Sequence, residues 1–243
     1  MWRTTAVAVT MLVAVGVGVF LAAPAARAAI ITVPLVGAGG DSGWDATYDN
    51  SVVDMTVDLV SLQKGFVVIE ITKEFGLPPN SFTGLFPTIL IDFAQRAQVP
   101  AVGTIVIADE TIRNRTGGDW TDFHWEVLDE GDAWFDVALS GQFGIQPPPQ
   151  FQQHQWATLP QDLTKADALN AFDGLVANGS TYFPGQDDSD LVIRTNPEAE
   201  GLRTFTLKEY PTPEPATLAL VGLGLAAVLA RRESGDRKRG AGV

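Results

Sequence analysis

Apolar and polar positions alternate along much of the chain. Val53, Met55, Val57 and Leu59 alternate with Asp54, Thr56 and Asp58, a period of two that predicts a half-buried strand. Gly65 then marks a turn, and residues 66–72 are rich in β-branched side chains, with Glu70 the only charge among them. The two runs predict a hairpin. Further strands are predicted at 30–36, 85–93, 104–107 continuing through 111–113, 120–128, 133–143, 191–194 and 202–207. Pro78-Pro79-Asn80, the 114–119 segment and Asp129-Glu130-Gly131-Asp132 punctuate them as turns.

One segment reads differently. Thr164-Lys165-Ala166-Asp167 fits a helix capping box, with Leu169, Phe172 and Leu175 or Val176 on one face and Gly179 as the stop. Residues 145–161, rich in Pro and Gln, read as an inserted loop, and 211–215 as a stiff linker. Many short strands with one short helix predict a mainly β fold, an antiparallel jelly-roll-like β-sandwich.

The two ends carry a different pattern. Arg3, an apolar stretch over 7–22 and Ala26-Arg27-Ala28 form the three parts of a signal peptide spanning 1–28. A retained anchor is the competing reading. At the other end, Pro213-Glu214-Pro215 precedes an apolar run over 216–230, followed by Arg231-Arg232 and then Arg237, Lys238 and Arg239. As a helix the run is about 22 Å long. That is short for a hydrocarbon layer of about 30 Å, so the run needs local thinning of the bilayer or snorkelling by Arg231 and Arg232. The positive-inside rule holds both basic ends in the cytoplasm, which puts the intervening chain outside the inner membrane. An ordinary tail anchor would share the helix and the basic flank.

This tripartite end resembles the PEP-CTERM sorting signal of Gram-negative bacteria, with Pro213, Glu214 and Pro215 as the motif and Arg231 and Arg232 as the membrane-stop cluster. The resemblance covers about the last thirty residues. It implies an exosortase-like processing enzyme in the inner membrane that cuts at or near the motif. A membrane-anchored precursor then goes to the cell surface or the extracellular matrix. The chain therefore divides into a signal peptide (1–28), a mature extracellular β domain (29–210) and a sorting signal (211–243).

Charge and composition narrow the chemistry. The chain has 243 residues, 46% hydrophobic, and a net charge of −13. Over 29–212 there are 26 Asp/Glu against 9 Lys/Arg, a net of −17. Such a body repels phosphate, so nucleic acid is excluded as its main partner. The absence of Cys excludes disulfides, thiolate metal sites and a Cys nucleophile. Only His124 and His154 could serve as imidazole bases, and no Gly-x-Ser-x-Gly elbow accompanies them.

The remaining candidates are a cation site and a sugar-stacking face. Asp187, Asp188 and Asp190 follow Gly185 closely enough to share a Ca²⁺ ion, which takes six to eight oxygens. Asp41 with Asp45, and 129–132, are similar. None has EF-hand spacing, and a solvated acidic turn, which Asp favours on its own account, is the competing and preferred reading of each. Trp44 and Trp156 are candidates for stacking on sugar rings, with core packing as the other reading. Trp120, Trp125 and Trp134 lie in or beside strand runs and read as core.

Asn114, Thr116 and Gly117, then Trp120, Thr121, Asp122, Phe123 and His124, resemble a segment of exported bacterial β-domain proteins with sorting tails. Its residues read as structural, with Gly117-Gly118 permitting the turn. The expectation is an exported surface or extracellular-matrix protein, non-catalytic and associated with exopolysaccharide or biofilm. The alternative is a secreted hydrolase of extracellular polysaccharide, which needs a pair of carboxyls that the sequence does not single out.

Overall fold

A computed structural model describes residues 29–128, 132–185, 189–196 and 201–213. The signal peptide, Asp187, Asp188, Glu214, Pro215, the apolar run at 216–230 and Arg231-Arg232 lie outside the described residues. The strands are β1 (Ile30–Gly37), β2 (Gly40–Asp49), β3 (Asp54–Gln63), β4 (Phe66–Phe75), β5 (Ile89–Gln95), β6 (Thr104–Asn114) and β7 (Trp120–Leu128). They continue as β8 (Ala133–Asp136), β9 (Gln153–Leu159), β10 (Asp162–Phe172), β11 (Thr181–Tyr182), β12 (Leu191–Thr195) and β13 (Thr204–Pro213). One turn of helix, α1 (Val137–Ser140), follows β8.

The fold is mainly β with one short helix, as expected. The strands form one sheet in the order β1-β2-β5-β13-β7-β10-β8-β12-β6-β4-β3, with β11 on β6 and β9 on β10. It is a mixed sheet: β4 runs parallel to β6, and the other pairs are antiparallel. β10 is the branch point. Ala166 pairs with Phe135 of β8 on one edge and Thr158 of β9 on the other, and Ala168 likewise pairs with both Glu126 and Ala157. The sheet curls until its two ends meet, which makes it nearly barrel-like. At the closure the β1–β2 turn packs so tightly on β3 that a Cβ on Gly39 would lie 2.6 Å from the Leu62 carbonyl oxygen.

The predicted helix at 164–176 is instead strand β10. Buried Ala166 and Leu169 stand three residues apart because a bulge interrupts the register between Ala166 and Ala168. That spacing imitates a helical face. Thr164 does not cap a helix; its backbone N–H and its hydroxyl donate to Asp162 Oδ1 at 3.1 and 2.6 Å, closing the β9–β10 turn. Hydrogen bonding along both edges of β10 overrides the helix propensity of its Ala, Lys and Leu residues.

Two other expectations change. The Pro/Gln-rich excursion contains strand β9, and the stiff linker is absent up to Pro213: Pro211, Thr212 and Pro213 complete β13, paired with Phe123, Asp122 and Trp120. The 133–143 run divides into β8 and α1, where Asp136 caps the helix by accepting from the Leu139 N–H at 3.1 Å.

The core is aromatic. Phe75 meets Trp120 and Phe123 edge-on, at 5.2 and 6.0 Å between ring centroids, and Trp125 meets Phe143 at 5.2 Å. Each such ring, fully buried, contributes roughly 1.5–3 kcal/mol or more through area removed from water.

Candidate functional site

The predicted stacking residues separate. Trp44 is fully buried, its indole N–H donates to the Val102 carbonyl at 2.9 Å, and its ring meets Phe205 edge-on. No face is open to a sugar, so the stacking role expected for Trp44 is corrected to core packing. The reason is its phase on β2, where it alternates inward with Ala46 and Tyr48. Trp156 is half-buried on β9, packed against Phe135 and His154. Trp120 and Trp125 are in the core as expected. Trp134 is only half-buried, with the Lys165 ammonium 4.1 Å from its ring centroid.

The acidic candidates separate too. Asp190 is half-buried and is the only member of its cluster among the described residues. Arg96 lies between Asp41 and Asp45, so these carboxylates serve an ion pair. Among the described residues no group of three or more His, Asp or Glu side chains is placed to hold a metal ion.

The Asn114 segment is the structural knot expected of it. The Asn114 side-chain amide donates to the carbonyls of Gly118 and Val176, both at 2.9 Å. Its Oδ1 accepts from the N–H and hydroxyl of Thr116, and the Trp120 indole donates to that hydroxyl. Gly117 sits at φ +84°, which a side chain would disfavour.

Sequence reasoning missed the most unusual constellation. Lys73 on β4 donates to Glu110 on β6 and to Glu209 on β13. All three side chains are sealed from solvent. β4 and β13 have five strands between them in the sheet order, so they meet only across the interior. The Trp125 indole N–H donates to the second Glu110 oxygen at 2.9 Å. Glu209 Oε1 is buried without a hydrogen-bond partner.

Burial pushes the Lys73 ammonium below the usual lysine range, and the nearby Glu110 opposes the shift. Tyr182 is pushed well above the usual tyrosine value by burial, and further by Glu110. Chemically the cluster is an amine in contact with two carboxyls in a dry, aromatic-walled interior.

A second cluster lies between β7 and β13, beside the end of the described chain. His124 stacks on Tyr210 at 4.6 Å. The Tyr210 hydroxyl and the Lys208 ammonium donate to the two oxygens of Glu126, at 2.5 and 2.7 Å. Burial lowers His124 below its ordinary value against the pull of Asp122 and Glu126. Burial likewise raises Tyr210, and with the Glu126 charge carries it to about 12. The Thr212 hydroxyl donates to Asp122 Oδ2 at 3.2 Å and also meets His124 Nε2. These contacts fasten the last turns of β13 to the sheet.

Comparison with known proteins bears on that same strand. Residues 211–233 match the PEP-CTERM protein-sorting motif. No curated protein and no solved structure matches the chain. The chain therefore carries the PEP-CTERM signal of exported, exosortase-sorted proteins, and the first three matched residues are the end of β13.

Proposed function

We propose that the protein is a non-catalytic component of the cell surface or extracellular matrix, delivered by exosortase sorting and holding exopolysaccharide. The observation that carries this reading is the continuity of body and address. The sorting motif begins inside a strand paired on the sheet, with Pro211 buried, so whatever the C-terminus is joined to is held directly by the folded body. An acidic, cysteine-free β body suits a solvated extracellular setting.

The best face for polysaccharide is on β9, which pairs with β10 alone and carries half-buried Trp156, with exposed Gln152 in the same phase just before the strand. Amides offer both donors and acceptors to sugar hydroxyls, and an indole face stacks on the ring. Glu110 and Glu209, the two carboxyls gathered on one amine, are sealed from solvent and out of reach of a polymer chain.

The test is co-sedimentation of the exported protein with exopolysaccharide from its own host, with and without EDTA, beside a Trp156→Ala variant. Binding that weakens severalfold in the variant supports the β9 face. Loss of binding in EDTA adds Ca²⁺ at Asp187, Asp188 and Asp190. No sedimentation of the wild-type protein in either condition overturns the polysaccharide role.

A further inference from the structure

We propose that Lys73 and Glu209 condense into an intramolecular amide, a covalent cross-link between β4 and β13, with Glu110 as the proton-transferring group. The three side chains are in mutual hydrogen-bond contact and fully buried, which places the Glu209 carboxyl carbon one bond beyond an oxygen that Lys73 already touches. Holding amine and carboxyl together in this way replaces a bimolecular encounter with an intramolecular one.

The roles follow from the hydrogen bonds. Glu110 has both oxygens engaged, one by Lys73 and one by the Trp125 indole, so it is held in place beside the amine. Glu209 Oε1 has no partner, so losing an oxygen from Glu209 sacrifices no hydrogen bond. Glu209 is therefore the electrophile.

The ammonium first passes a proton to the Glu209 carboxylate, giving a neutral amine and a neutral acid. Burial favours that transfer, because it depresses the Lys73 ammonium and removes two charges from a dry interior. The Nζ lone pair attacks the carboxyl carbon, and the N–C bond forms. Glu110 takes a proton from the nitrogen and gives it to the departing hydroxyl. The C–O bond breaks, water leaves, and Glu110 returns to its starting state. No oxidant or cofactor enters. Exclusion of solvent protects the amide from hydrolysis.

The link would tie together positions 136 residues apart in a chain that has no Cys for a disulfide. It would also fasten β13, through which any pull on the C-terminal attachment enters the body.

The test is a tryptic digest of the full, denatured chain read by mass spectrometry. The expected result is a branched peptide joining the Lys73 and Glu209 segments, lighter than their sum by one water, with no cleavage after Lys73. Glu110→Gln should abolish the branch and restore cleavage. The wild-type digest decides by itself, whether or not the variant folds. Cleavage after Lys73 together with an unmodified Glu209 peptide, from protein with a native circular dichroism spectrum, overturns the proposal. A branch from Lys73 to Glu110 overturns the assigned roles, as does a link that survives in Glu110→Gln.

Discussion

Asn114 sits where β6 turns toward β7 with its whole amide group in use. Replacing it with Ala would leave the Gly118 and Val176 carbonyls and the Thr116 N–H without that partner. The expected cost is about 1–3 kcal/mol, read as a lower urea midpoint with an unchanged slope. The tyrosines make a second prediction. All three are raised by burial first and then by nearby carboxylates: Asp58 and Asp54 at Tyr48, Glu110 at Tyr182, Glu126 at Tyr210. A raised folded value means that the native state keeps protons which the unfolded chain releases. Stability from this source is complete below pH 10.0 and, for Tyr210, is lost as pH rises through about 12. Tyrosinate absorbance at pH 10 should be small in native protein and large after unfolding. Glu126→Gln should bring Tyr210 down toward the ordinary range.

Some of this was legible at the residue scale. The Asn-x-Thr-Gly turn and its Trp were visible because Thr116, Gly118 and Trp120 stand close to Asn114 in sequence, whereas its Val176 partner was not. Lys73 was legible in principle. It shares the inward phase of Val67, Ile69, Ile71 and Phe75, a cation where the pattern demands an apolar group. Glu209 likewise follows Phe205 and Leu207 in phase. Glu110 was hidden, since the extra residue Ala108 bulges between Ile107 and Asp109 and switches the phase of β6.

At the element scale, period-two alternation located the strands and bulges defeated it. β10 is the clearest case: one shifted register produced the spacing of a helix, and only pairing with three neighbours shows the strand. β9 was missed because Gln, His and Thr give no apolar alternation, and its order comes from β10. A close backbone approach supplies a test. Gly43 on β2 lies at φ +79°, and a Cβ there would stand 2.6 Å from Ala101 Cα. Gly43→Ala therefore combines backbone strain with a collision, and should cost about 1–3 kcal/mol or more. Gly65→Ala, at φ +96° in the open β3–β4 turn, carries the strain alone. The two melting curves should rank in that order.

For the whole molecule, the sorting signal was legible because its parts are consecutive and need no fold to bring them together. The boundary between body and signal was not. Prolines at 211 and 213 predict a linker, yet β13 keeps them, and a register shift between Thr212 and Pro213 accommodates the second. The folded body thus reaches at least to Pro213, the first residue of the motif's Pro-Glu-Pro.

The most direct measurement is mass spectrometric mapping of the C-terminus of protein recovered from outside the cell. The expected terminus lies beyond Pro213 and before Arg231, with Arg231, Arg232 and the basic tail removed. Exported protein that retains the intact tail through Arg232 would contradict it.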